Sequence, residues 1–345
     1  MKSNSRMNRR KQKQRKRRKI FLWILIPILT ILLLSIGYGV YLAMKLADVA
    51  DDAHQELERG NKSEKRMEAV YPGKDNFSVL FIGVDERKGE KKSRSDVLLL
   101  ATFNKDEKTI KMLSIPRDSR VHVPGHEGLT KINNAHYWGG VDLAVETVEE
   151  LLDVPVDYYV KLNFDAFIEI IDALGGIDVN VPFTFTEMDS QDNPNAITLH
   201  EGLQHLNGEE ALAFVRMRKQ DPRGDFGRND RQKEVLKAVI KKAASLSSIL
   251  KFDDVLDSIG KNMTTNLTFQ NALALHPYAQ SITSIDSLKL DGQDLWLDNV
   301  YYFELDEDSV EEVSNTLKKH LGLMEGIAGE ESSQAMRDAD RDLVN

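Results

Sequence analysis

The chain has 345 residues and a formal net charge of −9, which is unevenly distributed. Residues 1–44 carry eleven Lys or Arg and no Asp or Glu, so the other 301 residues hold 35 bases against 55 acids, a net charge of −20. A body this acidic argues against nucleic-acid binding as its main function. Cysteine is absent, which excludes disulfides, thiolate metal sites and a cysteine nucleophile.

The first 75 residues predict a membrane anchor. Residues 1–19 are strongly basic, and residues 20–44 are a run of 25 residues without charge. At helical rise this run spans roughly 37 Å, enough to cross a bilayer. A secretory signal is the alternative, but its apolar core is shorter and ends in small residues. We therefore predict a single-pass protein of the cell membrane, with a cytoplasmic basic tail (1–19), a transmembrane helix (20–44) and an extracellular stalk (45–75).

Strands and helices alternate over residues 76–325, which predicts one α/β domain with a mixed central β-sheet and helices on both faces. The apolar run at 77–84 predicts a buried strand, and 97–103 with 109–115 predict a hairpin. The remaining predicted helices lie at 139–152, 164–174, 228–250, 269–281 and 309–321, and the remaining strands at 157–162, 177–181 and 293–303. The polar residues 326–345 are predicted to be a disordered tail.

The stretch 207–232 reads NGEEALAFVRMRKQDPRGDFGRNDRQ and concentrates arginine around breaker residues. Asn207 is a candidate N-cap for a short apolar helix. Arg216 and Arg218 follow it at a spacing of two, which is same-face spacing on a strand but nearly opposite on a helix. If both arginines serve one ligand, the helix must therefore end near Val215.

A second helix opens with Arg228, Arg231 and Gln232, which are spaced to share one helical face. Guanidinium groups gathered around a Gly-rich turn suit a highly charged anion. The alternative is a solvated loop whose arginines form surface ion pairs, with Glu209, Asp225 and Asp230 as partners.

Three further polar clusters fall where predicted strands begin or end, which is where α/β proteins tend to place sites. They are GVDER at 83–87, RSD at 94–96, and IPRDSR at 115–120 followed by KINNAH at 131–136. Between Lys74 and Arg337 all nine arginines lie in these clusters or in 207–232. This distribution indicates arginine reserved for bidentate recognition of phosphate or carboxylate, with structural pairing to nearby aspartates as the alternative.

Asp85 and Asp96 lie at the facing ends of neighbouring predicted strands and are placed to share a hard cation. Mg²⁺ is typically held by one or two carboxylates plus substrate phosphates. Structural capping of the turn at Ser95 is the alternative. The sequence has no G-x-S-x-G elbow and no phosphate-binding P-loop, and its eight histidines lack metal-ligand spacing.

These clusters, in this order, resemble the LytR-CpsA-Psr family. The matching segments are LFIGVDER, RSDVLLLATFN, LSIPRD, KINNAH, LNGEEALAFVRMRK and GDFGRNDRQ, and the resemblance covers residues 77–321. Within the family the sequence is similar to the transferases that attach wall teichoic acid to peptidoglycan in Gram-positive bacteria. The resemblance implies an apolar pocket for a polyprenyl chain beside an arginine-lined pyrophosphate site, with Mg²⁺, or Mn²⁺ in its place.

The resemblance also implies roles for individual residues. Asp85 and Asp96 match the metal-binding aspartates. The expected substrate-binding residues are Arg87, Arg94, Arg117, Asp118, Arg120, Arg216, Arg218, Arg228, Arg231 and Gln232. The expected catalytic residues are Arg94, Arg117, Arg216 and Arg218, which neutralise charge, with Asp96 or Asp225 accepting a proton.

The implied reaction is attack by a peptidoglycan hydroxyl on an undecaprenyl-pyrophosphate-linked glycopolymer, with undecaprenyl phosphate leaving. One alternative is a polyprenyl-pyrophosphate phosphatase, in which water replaces the acceptor. Another is a non-catalytic lipid-binding regulator of envelope assembly. The aspartate pair beside the arginines favours catalysis, and a domain outside the membrane has no access to nucleic acid.

Overall fold

The computed structural model describes residues 41, 44–45, 52–86, 92–243, 263–274, 278 and 285–324. The chain separates into two compact units, Met1–Asp48 and Val49–Asn345, and every element below belongs to the second. Apart from residues 41 and 44, the predicted anchor lies outside the described residues, as does the predicted tail at 326–345. Among the helices in the described ranges, none is long and apolar enough to cross a membrane.

The second unit contains strands and helices in alternation. The strands are β1 (Phe77–Val84), β2 (Ser95–Asn104), β3 (Thr109–Ile115), β4 (Arg120–His122), β5 (Leu129–Lys131), β6 (Tyr158–Asn163), β7 (Ile177–Val181), β8 (Phe185–Glu187), β9 (Ile197–Leu199), β10 (Gly202–Leu206), β11 (Met263–Thr265), β12 (Asp286–Leu288), β13 (Gly292–Leu297) and β14 (Val300–Leu305). The helices are α1 (Asn133–Leu152), α2 (Phe164–Ala173), α3 (Gly208–Arg216), α4 (Asp225–Ala243), α5 (Phe269–Ala274) and α6 (Glu307–His320).

A six-stranded sheet in the order β11-β6-β1-β2-β3-β12 forms the centre of this unit. Strand β1 is antiparallel to β2 and parallel to β6, so the sheet is mixed, as predicted. The predicted hairpin of β2 and β3 is also confirmed. Alternation along β1 sends its side chains to both faces of the sheet, because successive residues of a strand point in opposite directions.

Both faces of the sheet are covered. Leu80 and Ile82 pack in one apolar cluster with residues of α1 and α6. Phe77, Val79 and Tyr158 belong to a separate apolar cluster on the other face, and Leu236 of α4 packs against that cluster. The prediction of helices on both faces is therefore confirmed. A second apolar cluster is built from α3, α4 and strands β7 to β10, which pair as two small antiparallel ribbons.

Two predictions about connecting segments were wrong. The single strand predicted at 293–303 is a hairpin, β13 paired antiparallel with β14. Asp298 and Asn299 form its two-residue turn with φ of 48° and 63°, the left-handed conformation that tight hairpin turns require. Neither is glycine, so the turn is not marked by the usual residue.

The predicted stalk was also wrong for residues 52–75, which pack on the domain. Leu57 is buried in the main apolar cluster. Arg66 forms an ion pair with the buried Asp157 at 2.8 Å, and Arg59 forms one with the buried Glu149. The attachment of this segment depends partly on arginines that pair with buried carboxylates, which local hydropathy does not reveal.

Candidate active site

Helix α3 delivers two of the predicted arginines. The Asn207 side chain accepts a hydrogen bond from the Glu210 amide, and the Glu210 side chain accepts one from the Asn207 amide, so the predicted N-cap is part of a capping box. The helix ends at Arg216, and Met217 is extended with ψ 129°. This early end is what places Arg216 and Arg218 beside one cavity, as the two-residue spacing required.

Arg231 fixes this end of α3 from the side. Its Nε donates to the Phe214 carbonyl oxygen at 2.9 Å, its Nη2 donates to the Met217 carbonyl oxygen, and its Nη1 pairs with Asp221. Arg231 is only 2% exposed. The prediction that Arg231 binds substrate therefore needs correction, because its guanidinium is enclosed and occupied by the protein.

Asp221 is the partner that allows Arg231 to be buried. Burial alone would raise the pKa of the Asp221 carboxyl, but the hydrogen bond from the Arg223 amide and the ion pair with Arg231 outweigh it and lower that pKa. A Cβ at Gly227 would overlap the Asp221 carboxylate. Gly227, the second glycine of the RGDFGR segment, therefore makes room for this ion pair.

A polar cavity of about 210 Å³ lies between the start of β2, the end of α3 and the first turns of α4. Five of its twelve lining residues are cationic. The lining residues are Asp96, Val97, Arg117, Phe164, Glu187, Met188, Val215, Arg216, Arg218, Lys219, Arg228 and Gln232. Arginines from two separate sequence clusters, 115–120 and 207–232, therefore converge, as a site for a highly charged anion requires.

Carboxylates hold two of these arginines in position. Asp96 forms a close ion pair with Arg117. Asp118 is buried and contacts Arg218 at 3.5 Å, Arg117 at 3.6 Å and the Lys131 ammonium group at 2.7 Å. The Asp118 carboxylate is not among the lining residues, so it orients the arginines from behind the cavity and does not form part of its surface, in contrast to the predicted substrate contact.

Arg216 is held by the loop between β8 and β9. Its guanidinium donates to the Asp189 carbonyl oxygen at 3.3 Å and to the Asp192 carboxylate at 3.2 Å. The same group lies 5.2 Å from the centre of the Phe164 ring. An anion that enters the cavity would compete with Asp192 for this arginine.

An apolar cavity of about 190 Å³ adjoins the polar one. It is lined by Phe81, Ile82, Gly83, Val97, Leu99, Val160, Leu162, Asn163, Phe164, Phe167, Ile170, Ile171, Leu212, Val215, Gln232, Val235, Leu236 and Val239. Val97, Phe164, Val215 and Gln232 line both cavities. A ligand with an anionic head and an apolar tail would therefore find both environments next to each other.

Two predicted arginines lie elsewhere. Arg94 is exposed, and it donates from Nε to the Asn134 side chain at 3.1 Å and lies 5.8 Å from the Tyr137 ring centre. Arg120 donates to both carboxylate oxygens of Glu304 at 3.1 Å. The prediction of direct substrate contact is therefore corrected for Arg120, whose guanidinium has a structural partner.

Arg87 lies outside the described residues, and for Asp225 only the backbone is described, as the first residue of α4. The sequence reasoning missed Lys219, Phe164 and Glu187 as lining residues. Lys219 directly follows the Arg216–Arg218 pair, which was a usable signal. Phe164 and Glu187 carry no local signal, because only the packing of α2 and β8 brings them to the cavity.

The aspartate pair is compatible with a divalent cation. Val84, the last residue of β1, pairs with Ser95, the first residue of β2. Asp85 directly follows Val84 and Asp96 directly follows Ser95, so the two aspartates lie at adjacent strand ends. A Cβ at Gly83 would lie 2.9 Å from the Val97 Cβ, so glycine permits this close approach of the strands. No group of three or more metal-ligating side chains occurs in the described part of the chain. Asp96 lines the polar cavity and Asp85 follows the adjacent strand end. Two such carboxylates suit Mg²⁺, which takes its other ligands from phosphate and water.

The profile of the LytR_cpsA_psr family matches residues 40–319, most of the chain. The chain belongs to this family. This LytR-CpsA-Psr protein is 47% identical over 298 residues to the polyisoprenyl-teichoic acid–peptidoglycan teichoic acid transferase TagV of Bacillus subtilis. The match covers 84% of this chain and 76% of TagV. It is 46% identical over 290 residues to TagT of the same organism, covering 83% and 89%.

A solved structure of the LytR-CPS2A-psr family protein YwtF (TagT) with bound octaprenyl pyrophosphate lipid matches with a TM-score of 0.64 and 41% identity. The match covers 78% of this chain and all of that one. The LytR-CpsA-Psr fold inferred from the sequence motifs is therefore confirmed for the globular domain.

Proposed function

We propose that the chain is a membrane-anchored extracellular phosphotransferase that moves an anionic glycopolymer, wall teichoic acid, from undecaprenyl pyrophosphate to a peptidoglycan hydroxyl. The observation that carries the proposal is the shared wall of the two cavities, where four residues separate clustered arginines from an apolar lining. A polyprenyl diphosphate has this combination of charge and apolar chain. The relatives named above, transferases of teichoic acid and a protein with bound octaprenyl pyrophosphate, support the same assignment.

The reaction follows from charge accounting. The acceptor hydroxyl attacks the phosphorus on the sugar side, a new P–O bond forms, and the bond from that phosphorus to the bridging oxygen breaks. The bridging oxygen leaves with its electron pair as part of undecaprenyl phosphate. Arg117, Arg216, Arg218 and Arg228 lie where they would neutralise the diphosphate and the leaving group. The diphosphate bond supplies the driving force, so no nucleotide is required.

The hydroxyl proton needs an acceptor. The Asp96 carboxylate lines the cavity and is half-buried, and this position supports Asp96 as the general base. Asp225 was the other candidate from the sequence. Asp85 and Asp96 would hold Mg²⁺, or Mn²⁺, and the ion would supply further positive charge at the phosphate oxygens.

The proposed anchor rests on composition. Residues 20–44 carry no charge, and eleven basic residues precede them, which favours a cytoplasmic N-terminus. Protease treatment of protoplasts should digest a C-terminal epitope tag and spare an N-terminal one. The reverse pattern, or protection of both tags, would contradict this topology.

The function is tested with the full chain in nanodiscs, a synthetic teichoic-acid precursor on polyprenyl diphosphate, Mg²⁺ and peptidoglycan fragments. We expect a phosphodiester adduct and free polyprenyl phosphate. Arg218→Ala should abolish the adduct, whereas Arg223→Ala, at an exposed arginine paired with Asp230, should not. Release of polyprenyl phosphate without an adduct would instead indicate the phosphatase, and donor binding without reaction would indicate the regulator.

A further inference from the structure

The β13–β14 hairpin is fixed to the segment that supports the arginines. The Phe303 amide donates to the Asp118 carbonyl oxygen at 2.9 Å, and Phe303 forms a β-bridge with Ser119. The Arg120–Glu304 ion pair adds a second attachment. The hairpin is therefore held rigidly beside Asp118, whose side chain contacts Arg218.

Lys131 connects this hairpin to the polar cavity. Its ammonium group lies 2.7 Å from the Asp118 carboxylate, 5.9 Å from the Tyr301 ring centre and 5.7 Å from that of Tyr302. The Tyr301 ring in turn packs against Trp296, with ring centres 5.5 Å apart. A continuous path of side chains thus runs from the arginines through Asp118 and Lys131 to Trp296.

The far end of this path is an exposed aromatic surface. Trp296 is 67% exposed, whereas the exposed Leu297 and Val300 pair with each other on the opposite face of the hairpin. Trp296 and Tyr301 are cross-strand partners on the same face of the hairpin. An indole displayed on a rigid hairpin is typical of a binding surface, because aromatic side chains add contact area at low entropic cost.

The charges on the hairpin restrict what this surface binds. Asp294 and Asp298 are exposed, and Asp294 accepts a hydrogen bond from the Tyr301 hydroxyl at 2.9 Å. Such carboxylates repel anionic lipid headgroups and the polyanionic donor polymer. They accept hydrogen bonds from sugar hydroxyls, however, while the C–H face of a pyranose ring packs on an aromatic ring.

We infer that the Trp296–Tyr301 face of the hairpin is the acceptor subsite, which binds the glycan strand of peptidoglycan. The inference rests on the proposed transferase function. The apolar cavity meets the arginines at Val97 and Gln232, whereas the hairpin reaches them through Asp118. In this arrangement the lipid donor and the glycan acceptor lie on different sides of the arginines.

A binding experiment tests the surface without requiring turnover. The full chain in nanodiscs carries Trp23→Phe and Trp138→Phe, which leaves Trp296 as its single tryptophan. Chitooligosaccharides, which carry the N-acetylated β-1,4-linked backbone of peptidoglycan without its carboxylates, should produce a saturable change in its emission, and maltooligosaccharides of equal length should not. In the transfer assay Trp296→Ala should raise the acceptor KM about tenfold or more, with donor Kd and kcat unchanged.

The matched control is Tyr71→Ala, because Tyr71 is also an exposed aromatic residue, at 52%. Tyr71 precedes the start of β1, whereas the candidate metal ligand Asp85 follows the end of that strand. Unchanged emission together with an unchanged acceptor KM would overturn the inference. Quenching of Trp296 emission by brominated lipids without a response to glycan would show a membrane contact. A dimer that Trp296→Ala disrupts while the acceptor KM is unchanged would show a contact between two copies of the chain. Either result would overturn the inference. If glycan alters the emission but wild type forms no adduct, the transferase proposal fails and the glycan surface stands.

Discussion

Replacing Arg231 with methionine should destabilise the domain rather than simply weaken ligand binding. The change removes the closer ion-pair partner of the buried Asp221, which keeps only the Arg223 amide and the Arg223 guanidinium at 3.7 Å. It also removes the donors to the Phe214 and Met217 carbonyl oxygens. Breaking a buried ion pair from one side costs about 3–5 kcal/mol. The two carbonyls left without this donor favour the upper part of that range. For a domain of this size each kcal/mol lowers Tm by about 2–4 °C, so Tm should fall by about 10 °C or more.

The assay is thermal unfolding of the full chain in nanodiscs, followed by circular dichroism, together with titration of the lipid diphosphate. Arg228→Met is the matched control, because Arg228 is also buried but lines the polar cavity. It should lose donor affinity with a smaller change in Tm. The double variant Asp221→Leu/Arg231→Met should recover part of the stability, since no charge is then left unpaired. A wild-type Tm for Arg231→Met with reduced donor affinity would refute the reasoning and make Arg231 a ligand contact.

Three further predictions concern the metal, pH and the lipid. Asp85→Asn and Asp96→Asn should each raise the Mg²⁺ concentration needed for half-maximal transfer, and an unchanged titration would contradict the metal assignment. Burial lowers the pKa of His320 from 6.5 to about 4. As the pH falls from 6.5 to 4, His320 therefore takes up a proton in the unfolded chain before it does so in the folded chain. The free energy of unfolding of the wild type should fall by about 3 kcal/mol over this range. His320→Gln should lack this loss in urea denaturation at pH 7.5 and 4.5; parallel losses would contradict it. Val239→Trp should fill the apolar cavity and weaken calorimetric binding of a polyprenyl diphosphate about tenfold or more, with inorganic pyrophosphate unaffected; equal binding would contradict the lipid assignment.

The elements that the sequence predicted well are those whose signal is local. Strand β1 has the predicted bounds because every residue of FSVLFIGV is apolar or small and the strand is enclosed on both faces. The capping box at Asn207 is likewise a local pattern of side chain and backbone. The β13–β14 hairpin was missed because its turn uses Asp298 and Asn299 in the left-handed region, without the glycine that normally marks such a turn.

The site was predicted in outline because arginine is concentrated in a few motifs, but the sequence does not show which of these arginines line the cavity. Arg231 and Arg228 are three residues apart on α4, yet one is enclosed by backbone carbonyls and the other lines the cavity. Arg120 follows Arg117 by three residues and pairs with Glu304, 184 residues away. Such partners are determined by tertiary packing, which no local spacing encodes.

The wall shared by the two cavities also bears on turnover. If the donor's polyprenyl chain occupies the apolar cavity, the lipid monophosphate formed by transfer keeps the same apolar contacts and loses only part of its contact with the arginines. Binding energy that acts equally on substrate and product does not accelerate chemistry and slows departure of the product. Exchange of the spent carrier lipid should then limit the steady-state rate, and added polyprenyl phosphate should inhibit competitively with the donor.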